Sequence, residues 1–152
     1  MSIIISHANL DANDIQKLLA LHIGQAKQQN MTHTLNISAL KRPGIHVFCA
    51  RDNGATLMGI VAIKSLNSIA GEIKSMRTHP NHLRKGVAAK LMDAVIEFAR
   101  DQGFKQLYLE THPTPDYAAA VRLYETQGFK YCAAFGEYEE TDQSLFMTRA
   151  LT

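Results

Sequence analysis

The sequence predicts an α/β (α+β) fold, and three stretches carry that reading. Glu72 to Thr78 is short, uncapped and bounded by Gly71 and Pro80, so it reads as a strand, although its apolar and polar residues alternate only imperfectly. Beyond a turn, Val87, Ala88, Leu91, Met92, Val95, Ile96 and Ala99 recur at helical spacing until Gly103 supplies a C-terminal stop. Asp52-Asn53-Gly54, lying between two β-rich runs, is a hairpin signal.

The remaining elements follow in order. Ser2 to Ala8 is β-rich and opens the chain as a strand. Asp11 or Asn13 is placed to cap a helix carrying Ile15, Leu18, Leu19, His22 and Ile23, and the polar run from Gln25 to His33 leaves that helix as a loop. A short helix covers Ile37 to Leu40 before Arg42-Pro43-Gly44 breaks it. Ile45 to Arg51 and Thr56 to Ser65 form the strands of the hairpin. Leu66 to Ala70 connects them to the Glu72 strand. After the long helix come a strand over Gln106 to Glu110, a rigid turn at His112-Pro113-Thr114-Pro115, and a helix from Tyr117 to Gln127. Tyr131 to Phe135 and Ser144 to Thr148 close the chain as an antiparallel pair joined by the acidic loop Glu137 to Asp142.

With 152 residues, no internal repeat and no linker composition, residues 1–152 are expected to form one domain. A net charge of +2 argues against nucleic acid and anionic membrane surfaces as partners, because the cations are scattered and form no stripe. The two cysteines, Cys49 and Cys132, have neither CxxC nor metal spacing and read as reduced core thiols of a cytoplasmic protein. No apolar run approaches transmembrane length, and the N-terminus lacks the pattern of a signal peptide. Of the seven histidines, His79, His82 and His112 are not spaced to converge as metal ligands, so no metal is expected.

The turn Leu83-Arg84-Lys85-Gly86-Val87-Ala88 places a glycine and two cations at the mouth of a helix. The first amides of a helix have no partner inside it, and the aligned peptide dipoles leave partial positive charge there, which suits a phosphate or pyrophosphate. An ordinary strand–loop–helix joint with solvated cations fits the spacing equally well.

Two motifs tip the balance. Thr78-His79-Pro80-Asn81-His82-Leu83-Arg84-Lys85-Gly86-Val87-Ala88 resembles the V-x-P-x-x-[RQ]-x-x-G-x-[GA] signature of the GNAT superfamily of N-acetyltransferases, with Thr78 and Leu83 as departures. Ala120-Val121-Arg122-Leu123-Tyr124-Glu125-Thr126-Gln127-Gly128-Phe129 resembles that family's A-x-x-L-Y-E-x-x-G-F helix. The wording around them is similar to a bacterial subgroup described only in general terms as N-acetyltransferases. The resemblance implies a GNAT fold, with a central mixed, mostly antiparallel sheet of six to seven strands flanked by about four helices. It also implies acetyl-coenzyme A as co-substrate, with its pyrophosphate on the amides of Arg84, Lys85, Gly86, Val87 and Ala88. Backbone groups of Met76 would face the thioester carbonyl, and Thr78 would pair with the pantetheine arm. Leu83 removes one side-chain contact to the phosphates, while Arg84 and Lys85 can restore the charge. Tyr117 stands where many relatives carry an Asn, so no cofactor contact is carried over there. Strands of two protomers often pair in this family, which leaves a homodimer open.

Acetyl transfer from a thioester to an amine needs a base for the ammonium, donors for an oxyanion and an acid for the departing sulfur. Tyr124 matches the family's general-acid tyrosine, and a phenol near ~10 can protonate a thiolate near ~8.5. A core tyrosine on an amphipathic helix is the plain alternative. Glu72 lies fourteen positions before Gly86, close to where the histone-acetylating branch carries its base glutamate. In a regular strand Glu72, Lys74, Met76 and Thr78 share a face, and partial burial there would raise the carboxylate's pKa toward neutrality, as a base working through water needs. A Glu72–Lys74 surface pair is the alternative, and Glu110, His79, His112 or a water chain stay open as bases. The expected function is acetyl-coenzyme A-dependent N-acetylation of a primary amine, on a small molecule or a peptide, by direct transfer in a ternary complex. A non-catalytic acyl-coenzyme A sensor is the alternative from another class.

Overall fold

A computed structural model describes residues 2–28, 36–53 and 55–151. The elements are β1 (Ile3–His7), α1 (Asn13–Gln28), α2 (Ile37–Leu40), β2 (Ile45–Asp52), β3 (Thr56–Ser65), β4 (Ala70–Thr78), α3 (Val87–Asp101), β5 (Gln106–Thr111), α4 (Ala118–Thr126), β6 (Lys130–Cys132) and β7 (Leu145–Ala150). Short 3₁₀ turns occupy Pro80–His82 and Pro115–Tyr117. The strands form one seven-stranded mixed sheet in the order β1-β2-β3-β4-β5-β7-β6. The pairs β1–β2, β2–β3, β5–β7 and β6–β7 are antiparallel, whereas β4 and β5, joined through α3, are parallel. The α/β architecture expected from the sequence is therefore the one observed.

The chain divides into two packed units, Met1–Lys64 with Lys74–Val95, and Ser65–Ile73 with Ile96–Thr152. In the first, Ile15, Leu18 and Leu19 of α1 and Leu40 of α2 bury against Val47, Cys49, Leu57, Ile60 and Ala62 of β2 and β3. The apolar stripe of α1 thus covers one face of the hairpin. In the second unit, Leu107 and Leu109 of β5 and Met147 of β7 are fully buried, and Gln106, Tyr108 and Glu110 point to the opposite face, as a period of two requires.

Several features differ from expectation. α1 continues to Gln28 instead of ending before Gln25, and the rest of the polar run, 29–33, lies outside the described residues, as does Gly54. Neither Asp11 nor Asn13 caps that helix. It begins at Asn13 with Gln16 N–H donating to the Ala12 carbonyl, and Asp14 Oδ1 accepts from Ile15 N–H (2.8 Å). The last pair forms, but β6 is only Lys130–Cys132, because the chain leaves the ladder before Phe135. Finally, Ser75 of β4 has φ 55°, a left-handed residue inside a strand. The alternation is broken there, so Glu72 and Met76 do not share a face by simple counting.

Cys49 is buried and Cys132 half-buried, both as free thiols, so Cys132 is not a core residue. No helix among the described residues is long and apolar enough to cross a membrane.

His22 on α1 is held near a pKa of about 4, first by burial and then by the charge of Arg77. The unfolded chain takes up this proton near ~6.5 and the folded chain only near 4, so stability is lost as pH falls through that window. We expect denaturation midpoints measured from pH 7 to pH 4 to decline less steeply in His22→Phe than in the parent chain.

Candidate active site

In the first unit the end of β4 is anchored at once, because His79 N–H donates to the Met58 carbonyl of β3 (2.8 Å). Pro80 starts the following 3₁₀ turn, where its missing N–H costs nothing, and His79 Nδ1 accepts from Asn81 N–H (3.1 Å). Arg84 (φ 63°) and Gly86 (φ 80°) then take left-handed conformations that swing the backbone into α3. Lys90 N–H donates to the Gly86 carbonyl (3.1 Å), so the amides of Gly86, Val87, Ala88 and Ala89 precede the first helical hydrogen bond. A Cβ on Gly86 would meet no atom within 4 Å, so open space lies at Gly86, and it is φ rather than crowding that demands glycine. Arg84 and Lys85 are exposed beside that space, as is Leu83 at 58%. Lys85 Nζ lies 3.2 Å from His82 Nδ1, and burial followed by the charges of Lys85 and His79 keeps the His82 imidazole below its ordinary pKa.

Gly59 of β3 sets how closely α3 can approach. A Cβ there would sit 2.9 Å from Val87 Cγ1, 3.0 Å from the Arg77 carbonyl oxygen and 3.1 Å from Leu91 Cδ1. The first turn of α3 packs directly on strand backbone, which fixes the position of its amides. Met76 and Thr78 are half-buried on β4 beyond the break at Ser75, whose buried Oγ has no hydrogen-bond partner.

The second unit holds Tyr124 and Glu72. The end of α4 is closed by Phe129 N–H donating to the Tyr124 carbonyl (2.9 Å) and Gly128 N–H to that of Glu125 (3.1 Å), with Gly128 at φ 89°. This is a Schellman closure, and it accounts physically for the Tyr-Glu-x-x-Gly-Phe spacing. Arg149 Nη1 donates to the Gln127 carbonyl (2.8 Å), neutralising the helix end. Tyr124 is buried at 6% exposure beside Phe129, and its phenol is pushed well above the ordinary range, first by burial and then by Tyr117.

Glu72 is 2% exposed, which excludes a surface pair, and its Oε2 accepts from the Tyr138 hydroxyl at 2.6 Å. Glu110 Oε2 accepts from Ser144 Oγ at 2.6 Å. His112 Nδ1 must donate to the Gln143 carbonyl (2.7 Å), since a carbonyl only accepts. Tyr138 was not among the residues picked out by sequence. Its only signal is that it is the one aromatic in the acidic run Glu137 to Asp142. Among the described residues no group of three or more His, Cys, Asp and Glu side chains is placed to hold a metal ion.

Residues 13–129 match the model of the acetyltransferase (GNAT) family, and the chain belongs to that family. It is an N-acetyltransferase. It is 43% identical over 119 residues to the uncharacterised N-acetyltransferase YsnE of Bacillus subtilis (strain 168), covering 78% of each chain. Its fold superimposes on a Klebsiella pneumoniae protein described as an acyl-CoA N-acyltransferase with a TM-score of 0.83 and 25% identity, over 99% of this chain and 98% of the other. A GNAT family acetyltransferase from Elizabethkingia anophelis, solved with acetyl-CoA bound, has a TM-score of 0.74 at 17% identity, over 98% of both chains.

The packing at Gly59 is testable by stability alone. Gly59→Ala should cost about 1–3 kcal/mol by overpacking, whereas Gly24→Ala in α1, where a Cβ meets nothing within 4 Å, should stabilise by about 0.5–1 kcal/mol. Urea denaturation of the two variants reads both signs.

Proposed function

We propose that the protein transfers the acetyl group of acetyl-coenzyme A to a primary amine by direct attack in a ternary complex. The observation that carries this reading is the run of amides at Gly86 to Ala89 that precedes the first hydrogen bond of a fifteen-residue helix, with open space at Gly86 and the exposed Arg84 and Lys85 just before it. That arrangement fits a diphosphate, by dipole, hydrogen bonds and charge together. Acetyl-coenzyme A, when bound, supplies the activated acyl group and the thiol leaving group.

The chain's own residues supply the rest. Arg84 to Ala88 hold the diphosphate. Thr78 offers main-chain groups to the pantetheine arm, and the amide near Met76, past the break at Ser75, is a donor for the oxyanion. Glu72 accepts, through water, the proton that the ammonium must lose before it attacks. Tyr124 donates to the departing sulfur. Because burial raises its phenol, Tyr124 stays protonated across any working pH, and the donor is always present. The same shift makes full transfer to a thiolate near ~8.5 uphill, so the hydroxyl acts as a strong hydrogen-bond donor before it acts as an acid. The amine is a small molecule or a peptide.

Thiol release followed over a panel of amines tests the reading. It should rise on addition of the right amine, and Tyr124→Phe should lower kcat by about 10²- to 10⁴-fold while calorimetry shows acetyl-coenzyme A binding nearly unchanged. Tight binding with no amine-dependent release from any acceptor would favour a sensor instead.

Gly86→Ala should act on binding. A left-handed alanine costs roughly 1–2 kcal/mol, and its methyl enters the open space at Gly86. The dissociation constant for acetyl-coenzyme A should therefore rise about tenfold or more, since ~1.4 kcal/mol is a factor of ten.

A further inference from the structure

We infer that Tyr138 is a positioning residue for the acceptor-side carboxylate, seating Glu72 from a segment sixty-six residues away in the chain. This rests on the reading of Glu72 as the base. Glu72 of β4 is paired in register with Tyr108 of β5, and Glu110, Phe146 and Thr148 share that face through the β5–β7 ladder. A carboxylate 2% exposed on such a face requires donors, because an ionised group removed from water without hydrogen bonds is strongly disfavoured. Tyr138 supplies one at 2.6 Å.

The tyrosine is seated by rings rather than by regular structure. Phe135 stands edge-on to Tyr138 at 5.1 Å and to Phe146 at 5.7 Å, and the Tyr108 ring lies 4.9 Å from it. Edge-to-face pairs at these separations define geometry as well as bury area. Ser144, at the other end of the same segment, ties to the second carboxylate, Glu110, at 2.6 Å. The connection between β6 and β7 is thus pinned to the sheet face at both carboxylates. Burial and the charges of Glu72 and Glu110 push the Tyr138 phenol far above its ordinary pKa, so it never competes for a proton and serves as donor only. With Oε2 engaged, Glu72 keeps one orientation, and a base must be held within a fraction of an ångström to work efficiently.

A double-mutant cycle over Glu72→Gln and Tyr138→Phe decides the matter, read as kcat and KM for the amine and KM for acetyl-coenzyme A. Tyr138→Phe keeps the ring and should lower kcat about ten- to a hundredfold, leaving KM for acetyl-coenzyme A unchanged. In the Glu72→Gln background the same change should cost less than about twofold, because the residues act as one unit. Equal losses in both backgrounds, or full activity in Tyr138→Phe, would overturn the inference. Phe135→Leu, which keeps the hydroxyl but loosens its seat, should show a smaller loss that also vanishes in Glu72→Gln. It carries the cycle if Tyr138→Phe fails to fold. A readout without turnover separates this claim from the acetyl-transfer reading. The carboxyl ¹³C resonance of Glu72, assigned by its loss in Glu72→Gln, should move in Tyr138→Phe and stay put in Ser144→Ala. A resonance that does not move sinks the contact. A moved resonance in a protein with no amine-dependent thiol release sinks the base assignment, and with it the positioning role.

Discussion

A helix cannot satisfy its own first amides, and the acetyl transfer proposed for this chain depends on where those of α3 are held. Two features fix them. The left-handed residues Arg84 and Gly86 turn the chain into the helix, with open space at Gly86. Beneath, the absence of a side chain at Gly59 lets Val87 and Leu91 rest on strand backbone at about the closest approach packing permits. One glycine is needed for conformation and the other for room. Cations at Arg84 and Lys85 add charge at a place that the backbone has already defined.

The same economy governs β4. A regular strand would spend every amide of this stretch on its neighbours. The positive φ at Ser75 breaks the period, so that Glu72 belongs to a buried, ordered ladder with β5 while Met76 to Thr78 lie beyond the interruption. A left-handed serine is costly, and such strain persists only where surrounding structure enforces it. The buried Ser75 Oγ, without a hydrogen-bond partner, marks the same residue a second time.

Elements with strong local causes were legible in the sequence. The period of 3.6 over Val87 to Ala99, the Pro80 stop and the Gly128-Phe129 closure each act within a few residues, so reading the chain in one dimension was enough. The turn at Gly86 was legible for the same reason. Gly59 was not, because a glycine inside an apolar strand says nothing of which helix will lie on it. Ser75 was not, because serine carries no bias towards φ of 55°. Tyr138 was not, because its partner is distant in the chain and its neighbours are charged residues that suggest a solvated loop. Glu140, one of those charges, accepts from the Ala134 amide at the surface, so the acidic run is partly structural.

Tyr124 and Tyr138 show how one residue type serves opposite ends of a proton ledger. Both phenols are buried and both are raised, yet Tyr138 lies against a carboxylate that can only accept, whereas Tyr124 is raised by desolvation with a minor contribution from another tyrosine. A phenol held by a carboxylate has its proton committed. A phenol raised mainly by apolar surroundings keeps its proton uncommitted until a negative charge develops nearby, and a low dielectric then makes its hydrogen bond to that charge worth more than it would be in water. Environment alone therefore separates the two, and in the proposed reaction Tyr138 holds the base in place while Tyr124 waits for a charge that exists only while a bond to sulfur is breaking.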